Sequence, residues 1–150
     1  MEKDGGLRRL FREKFPEAQF TSIESPLTAA GIPDCEYCFP DGKSGWIEFK
    51  RTNSMRIGSL KPMQVAWLER RRRLGGRAFI AVRRVIEKRS CDELWVVDAI
   101  AAREVMAKGL FATLVWREAP WHGAVYTWAG GASKWNWHAV KWLLTKEPKI

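Results

Sequence analysis

Three side chains in this sequence have the types and spacing of a phosphate-hydrolysing centre: Asp34, Glu48 and Lys50. Asp34 closes the run Gly31-Ile32-Pro33-Asp34. After thirteen intervening residues the chain reads Glu48-Phe49-Lys50. Between them lies Pro40-Asp41-Gly42-Lys43-Ser44-Gly45, a dense turn signal. The pattern predicts a β-hairpin, with Asp34 opening its first strand and Glu48 and Lys50 on its second. Strand side chains alternate faces, so Glu48 and Lys50 point one way and Ile47 and Phe49 the other. If pairing sets Asp34 beside Glu48, two carboxylates and an ammonium share one pocket. Two hard carboxylates suit Mg²⁺, which keeps several waters and takes substrate phosphate as a further ligand. Such an ion supplies an acidified water and charge stabilisation, and a neighbouring lysine steadies the phosphate or orients the nucleophile.

The elements that must position these groups follow from periodicity. Apolar residues at 7, 10, 11 and 15 predict a first helix. Residues 18 to 23 are expected to form a strand, and 25 to 30 a loop entering the Pro-Asp corner. Residues 51 to 59 are polar and predict a mobile loop. A helix then opens at Leu60-Lys61-Pro62, with Ser59 as N-cap, and runs to Leu74 before Gly75-Gly76. Gln64 falls in its first turn. The apolar run from 78 to 82 predicts a buried strand parallel to that of Glu48. Further strands are expected at 94 to 97, 112 to 116 and 125 to 128. Asp98 is expected to cap a helix reaching Met106, and Ser133 one reaching Leu144. In that last helix Trp135 and Trp142, seven apart, are expected to share a face. Trp121 and Trp137 are the candidates for stacking on unpaired bases.

The residues Gly31-Ile32-Pro33-Asp34, Trp46-Ile47-Glu48-Phe49-Lys50, Gln64 and the 78 to 82 strand with Arg83-Arg84 resemble the PD-(D/E)xK nuclease superfamily. Within it they are most similar to the virus-type replication-repair nucleases (VRR-NUC) and the Holliday junction resolvase-type nucleases. The similarity spans residues 7 to 84. It implies an α/β, restriction-endonuclease-like fold, a central mixed sheet flanked by helices, here with a Trp-rich C-terminal extension. It implies a Mg²⁺-dependent deoxyribonuclease, with Mn²⁺ as substitute, selective for branched DNA such as a Holliday junction and serving repair or recombination. The implied catalytic roles are Asp34 and Glu48 as metal ligands, Lys50 as the cation that positions the nucleophile or offsets charge, and Gln64 as support. A further acid from the first helix is implied; Glu13 is the candidate, with Glu2, Asp4 and Glu17 as rivals. In resolvase-like relatives the 25 to 30 loop reaches the phosphate, which marks Ser25 and Thr28. A homodimer that cuts paired strands is also implied.

Composition bounds the rest. A chain of 150 residues is expected to form one domain, with residues 1–109 as core and 110–150 as extension. Hydrophobic residues make up 46% and charged residues 29%, as in globular proteins. No window is apolar enough to span a membrane, and the N-terminus lacks a signal-peptide core, which predicts a cytoplasmic protein and is compatible with a phage-encoded one in the host cytoplasm. The net charge of +9 points to nucleic acid as partner. Arg51, Arg56, Lys61, Arg71, Arg83 and Arg84 are the candidate contacts to DNA. The same charge without catalysis would make a nucleic-acid-binding module, the rival reading. Three cysteines argue against a disulfide framework. Cys35 and Cys38 have a zinc half-site gap, but Cys91, His122 and His138 supply no second half at zinc-like spacing.

Overall fold

A computed structural model describes residues 3–23, 31–110 and 124–148. Its elements run α1 (Leu7–Lys14), β1 (Gln19–Ser22), β2 (Cys35–Phe39), β3 (Lys43–Thr52), α2 (Pro62–Arg73), β4 (Ala78–Arg84), β5 (Glu93–Asp98), α3 (Ala102–Lys108), β6 (Val125–Trp128) and α4 (Trp137–Thr145). The six strands form one mixed sheet in sequence order. Every neighbouring pair is antiparallel except β3 and β4, which are parallel. A parallel pair needs a crossover, and α2 provides it. The expected strand at 112 to 116, the loop at 25 to 30 and Trp121 lie outside the described residues.

Helices cover both faces. On one face, Leu7, Phe11 and Phe15 of α1 and its exit, with Val140, Leu143 and Leu144 of α4, meet Cys35, Tyr37, Phe39, Ile47, Phe49, Phe79 and Ala81. On the other, Val65 and Leu68 of α2 and Ala102 and Val105 of α3 meet Ile80, Val82, Trp95 and Val97. The strict alternation of Phe79 and Ala81 against Ile80 and Val82 is what a strand buried on both sides requires. Burial of a side chain of this size is worth about 1.5–3 kcal/mol, so the two cores fix which strand residues face which layer.

The β2–β3 hairpin forms as expected, in the register Cys35 to Ile47 through Phe39 to Lys43. Its turn is a single 3₁₀ turn at Pro40–Gly42. Asp41 and Gly42 both take positive φ, 68° and 70°, conformations that Asp tolerates and Gly adopts freely. Cys35 and Cys38 are three apart and so face opposite sides of the sheet. That alternation excludes the zinc half-site, and among the described residues no cluster of three or more His, Cys, Asp or Glu side chains stands at metal-holding spacing.

Several local expectations change. Residues 53 to 58 are fastened down rather than loose. Thr52 Oγ1 bonds the Arg56 carbonyl, Leu110 N donates to Met55 O at 2.7 Å, and Ile57 and Leu60 are buried. The α2 helix starts at Pro62 with Lys61 as the flanking residue, so Ser59 is not its cap. Asp98 does cap, accepting from Ile100 N at 3.0 Å, but over a 3₁₀ turn (Ala99–Ala101) that leads into α3. α4 is capped by Asn136, whose Oδ1 accepts from Ala139 N at 3.0 Å, not by Ser133. Trp135 therefore precedes the helix and is buried, while Trp142 is 56% exposed. Arg77 closes the far end of α4 by donating to the Thr145 and Lys146 carbonyls. No described helix is long and apolar enough to cross a membrane.

Candidate active site

The site forms where β2 stops and β3 continues. β2 begins at Cys35, opposite Ile47, so the next residues of β3 lose their antiparallel neighbour. Asp34 takes over that role. Phe49 N donates to Asp34 Oδ2 at 3.1 Å, and Asp34 N donates to Glu48 Oε2 at 3.1 Å. This reciprocal pair satisfies a backbone donor that a strand edge would otherwise leave open. It also brings the two carboxyl groups together, fourteen residues apart in sequence. The conformation at Gly31 makes the approach feasible. Its φ is +93°, and a Cβ there would collide with the backbone carbonyl of Met63 at the start of α2.

Glu48, Lys50 and Trp46 point toward the α2 layer, as alternation requires. Glu48 is 1% exposed. Its Oε1 accepts from Gln64 Nε2 at 3.1 Å and lies 3.3 Å from Lys50 Nζ. Gln64 is itself aimed by Lys61 N, which donates to its Oε1 at 3.0 Å. Lys50 Nζ also donates to the Ser59 carbonyl at 3.0 Å. Four sequence-expected residues, Asp34, Glu48, Lys50 and Gln64, thus meet in one hydrogen-bonded group. Gln64 supports the group by contacting Glu48 directly.

The electrostatics are those of a crowded acid pair. Burial, then the neighbouring Asp34 charge, push the Glu48 carboxyl up to about 8; Lys50 opposes this. The Asp34 N–H that donates to Glu48 Oε2 opposes it as well. The two acids therefore crowd one another, and the ionised form of Glu48 carries the cost. The donor set fits a hard divalent ion. An ionised carboxylate offers about four lone-pair positions, and the protein contacts named above use three on Glu48 and one on Asp34. Two carboxylates are also the number that a Mg²⁺ site completed by water and phosphate draws from protein.

Asp34 and Phe49 line a cleft of about 340 Å³ together with Lys3, Asp4 and Arg8. Asp4, one of the rivals for the first-helix acid, stands there. Its carboxylate accepts from Gly6 N at 2.9 Å and Arg8 N at 3.1 Å, holding the entry to α1. Glu13 is exposed near the other end of α1. It is five residues past Arg8, about 7.5 Å along the axis and about 140° around it. Lys3 and Arg8 were missed from sequence; only the chain's return to the sheet edge brings them to Asp34.

The basic candidates divide. Arg83 is 7% exposed and engaged inside the fold: Nε donates to Asp92 at 3.0 Å, Nη1 to the Gly5 carbonyl at 3.2 Å, and the guanidinium lies 5.4 Å from the Trp135 ring centre. Arg56 Nη1 donates to the Ala107 carbonyl at the end of α3. Arg84 pairs with Glu93 at 3.3 Å. Arg51 lies on β3 with its stem beside Gly5. Lys61 is exposed, and Arg71 is half-buried over two indoles. Trp137 packs edge-on against Phe11 and Phe15, with Nε1 donating to the Ala132 carbonyl, so its ring belongs to the core. Ser25, Thr28 and Glu2 lie outside the described residues. No protein-family model matches the chain, and no curated protein matches it.

Proposed function

We propose that the chain is a Mg²⁺-dependent deoxyribonuclease of restriction-endonuclease-like architecture, acting on DNA phosphodiesters with a preference for branched substrates. The observation that carries this reading is the reciprocal bonding of Asp34 and Glu48, with Lys50 Nζ 3.3 Å from Glu48 Oε1. Structural ion pairs on a strand do not need a second carboxylate beside the first, since like charges at this range cost free energy. A divalent cation relieves that cost.

Asp34 and Glu48 are the residues that would hold the ion, and Mn²⁺ is the expected substitute. When bound, it supplies an acidified water and charge neutralisation at the phosphate. Asp34 opens the pair to the cleft, whose cationic Lys3 and Arg8 complement an entering phosphodiester. Lys50, anchored by the Ser59 carbonyl, keeps one positive charge beside the nucleophile. Gln64 fixes the rotamer of Glu48. The net charge of +9 favours a polyanionic substrate and diffusional capture of it. A homodimer that cuts paired strands belongs to the same reading.

The test is cleavage of an end-labelled four-way junction and a matched linear duplex in Mg²⁺, with Asp34→Ala, Glu48→Ala and Lys50→Ala beside wild type. The reading requires cutting by wild type only, and more of the junction. Equal cutting by all four proteins removes it. DNA binding without any cutting leaves a non-catalytic nucleic-acid-binding module, which the same net charge favours.

A further inference from the structure

The arginine run of α2 is not uniform. Arg72 pairs with Asp98 at 2.9 Å and Arg73 with Glu69 at 3.4 Å. Arg71 differs: its guanidinium lies 4.5 Å from the Trp67 ring centre and 5.5 Å from that of Trp46. The two indoles meet edge-to-face at 5.2 Å. Glu36 stands opposite Trp46 in the β2–β3 register, yet among the described residues no ion pair joins Arg71 to a carboxylate. Arg71 is half-buried and lines a hollow of about 150 Å³ with Trp67, Arg70 and Leu74. Its stem is fixed too, since a Cβ at Gly76 would stand 2.8 Å from Arg71 Cδ.

An arginine held by aromatic faces keeps its full charge and its fork of donors for another ligand. A carboxylate partner would have neutralised both. The place matters equally. Gln64, Trp67 and Arg71 follow one another at three- and four-residue steps on α2, so they share a face. Trp46 lies on the same face of β3 as Glu48, two residues and about 7 Å away. That is the axial rise of roughly two nucleotides of one strand.

We infer that Arg71, clamped by Trp67 and Trp46, is a phosphate subsite for the DNA strand flanking the point of cleavage. This rests on the nuclease reading for its substrate, but its test does not need catalysis. Binding of a fluorescein-labelled duplex is measured by anisotropy in EDTA, from 50 to 300 mM salt, for wild type, Arg71→Met and Arg71→Lys. Methionine keeps the apolar stem, and thermal unfolding reports whether the fold is retained. Arg71→Met is expected to weaken binding about tenfold, the scale of one charged hydrogen-bonding contact. It should also reduce the slope of log affinity against log salt by about 0.9, one phosphate's share. Arg71→Lys should keep the slope and lose affinity, because an ammonium neither forks nor stacks on the indoles. Wild-type affinity and slope in Arg71→Met, or wild-type affinity in Arg71→Lys, overturns the subsite. Cleavage by wild type and its absence in Asp34→Ala are scored separately, so loss of the subsite and loss of the nuclease reading remain distinct outcomes.

Discussion

Replacing Glu48 with Gln should shift the stability of the metal-free protein progressively in the variant's favour as pH rises. In the folded state the Glu48 carboxyl is held up to about 8, against an ordinary value of 4.5. A raised acid is protonated in the native chain and ionised in the unfolded one across that interval. Wild type therefore has its full stability below about 4.5 and loses it as pH rises toward about 8. Glutamine does not titrate, so its protein lacks that loss. Each pH unit is worth about 1.4 kcal/mol, giving at most on the order of 5 kcal/mol over the whole window. With its oxygen kept on the Asp34 N–H, the glutamine amide turns its NH2 toward two donors, Gln64 Nε2 and Lys50 Nζ, a loss of about 1–3 kcal/mol at every pH. That loss shifts the difference between the proteins without tilting it. The assay is urea unfolding in EDTA from pH 5 to 8.5, reading the difference in free energy between the two proteins. A difference that stays flat, or one that moves in favour of wild type as pH rises, would falsify the raised, buried Glu48 carboxyl beside Asp34.

Other consequences are simpler to read. Arg83→Met should destabilise the fold by about 3–5 kcal/mol, because it strands the fully buried Asp92 without its cation; urea midpoints measure this, and a change under 1 kcal/mol contradicts it. Asn136→Ala should cost about 1 kcal/mol by removing the α4 cap, whereas Ser133→Ala should cost nearly nothing. Gly45→Ala should be poorly tolerated, since its Cβ would run into the Tyr37 hydroxyl that donates to the Leu144 carbonyl; loss of soluble, cooperatively unfolding protein is the expected readout. Burial pushes the Cys35 thiol up to about 11, while Cys91 is exposed. At pH 8 a thiol reagent should therefore label Cys91 and spare Cys35, as peptide mapping would reveal.

What the sequence made legible was short-range. The Pro40-Asp41-Gly42 turn dictates a hairpin through its own backbone preferences, and that hairpin aligns Asp34 with Glu48. The helix between β3 and β4 forces a parallel pair, which the apolar run of β4 already demanded. What stayed hidden depends on partners far along the chain. Arg83 sits in a basic cluster that looks solvent-directed, yet it bonds the buried Asp92 and the Gly5 carbonyl, and Trp135 Nε1 donates to the Asp92 carbonyl. Arg56 and residues 53 to 58 look free because nothing local announces the end of α3 that receives them. Among the acids near α1, spacing alone did not separate Glu13 from Asp4; the cleft does, through the turn at Gly5 and Gly6 with positive φ of 66° and 78°. In α4 the choice between Ser133 and Asn136 turned on where the chain leaves the Gly130-Gly131 bend.

The central claim concerns a cation held jointly by Asp34 and Glu48. Crystals of wild type grown in Mn²⁺ and measured at the manganese absorption edge address it directly. The account predicts one anomalous peak within about 2.0–2.4 Å of an oxygen from each carboxylate, the range spanned by hard divalent ions, and no such peak in Asp34→Ala. A peak elsewhere, or an empty carboxylate pair at a Mn²⁺ concentration that supports cleavage, would contradict it.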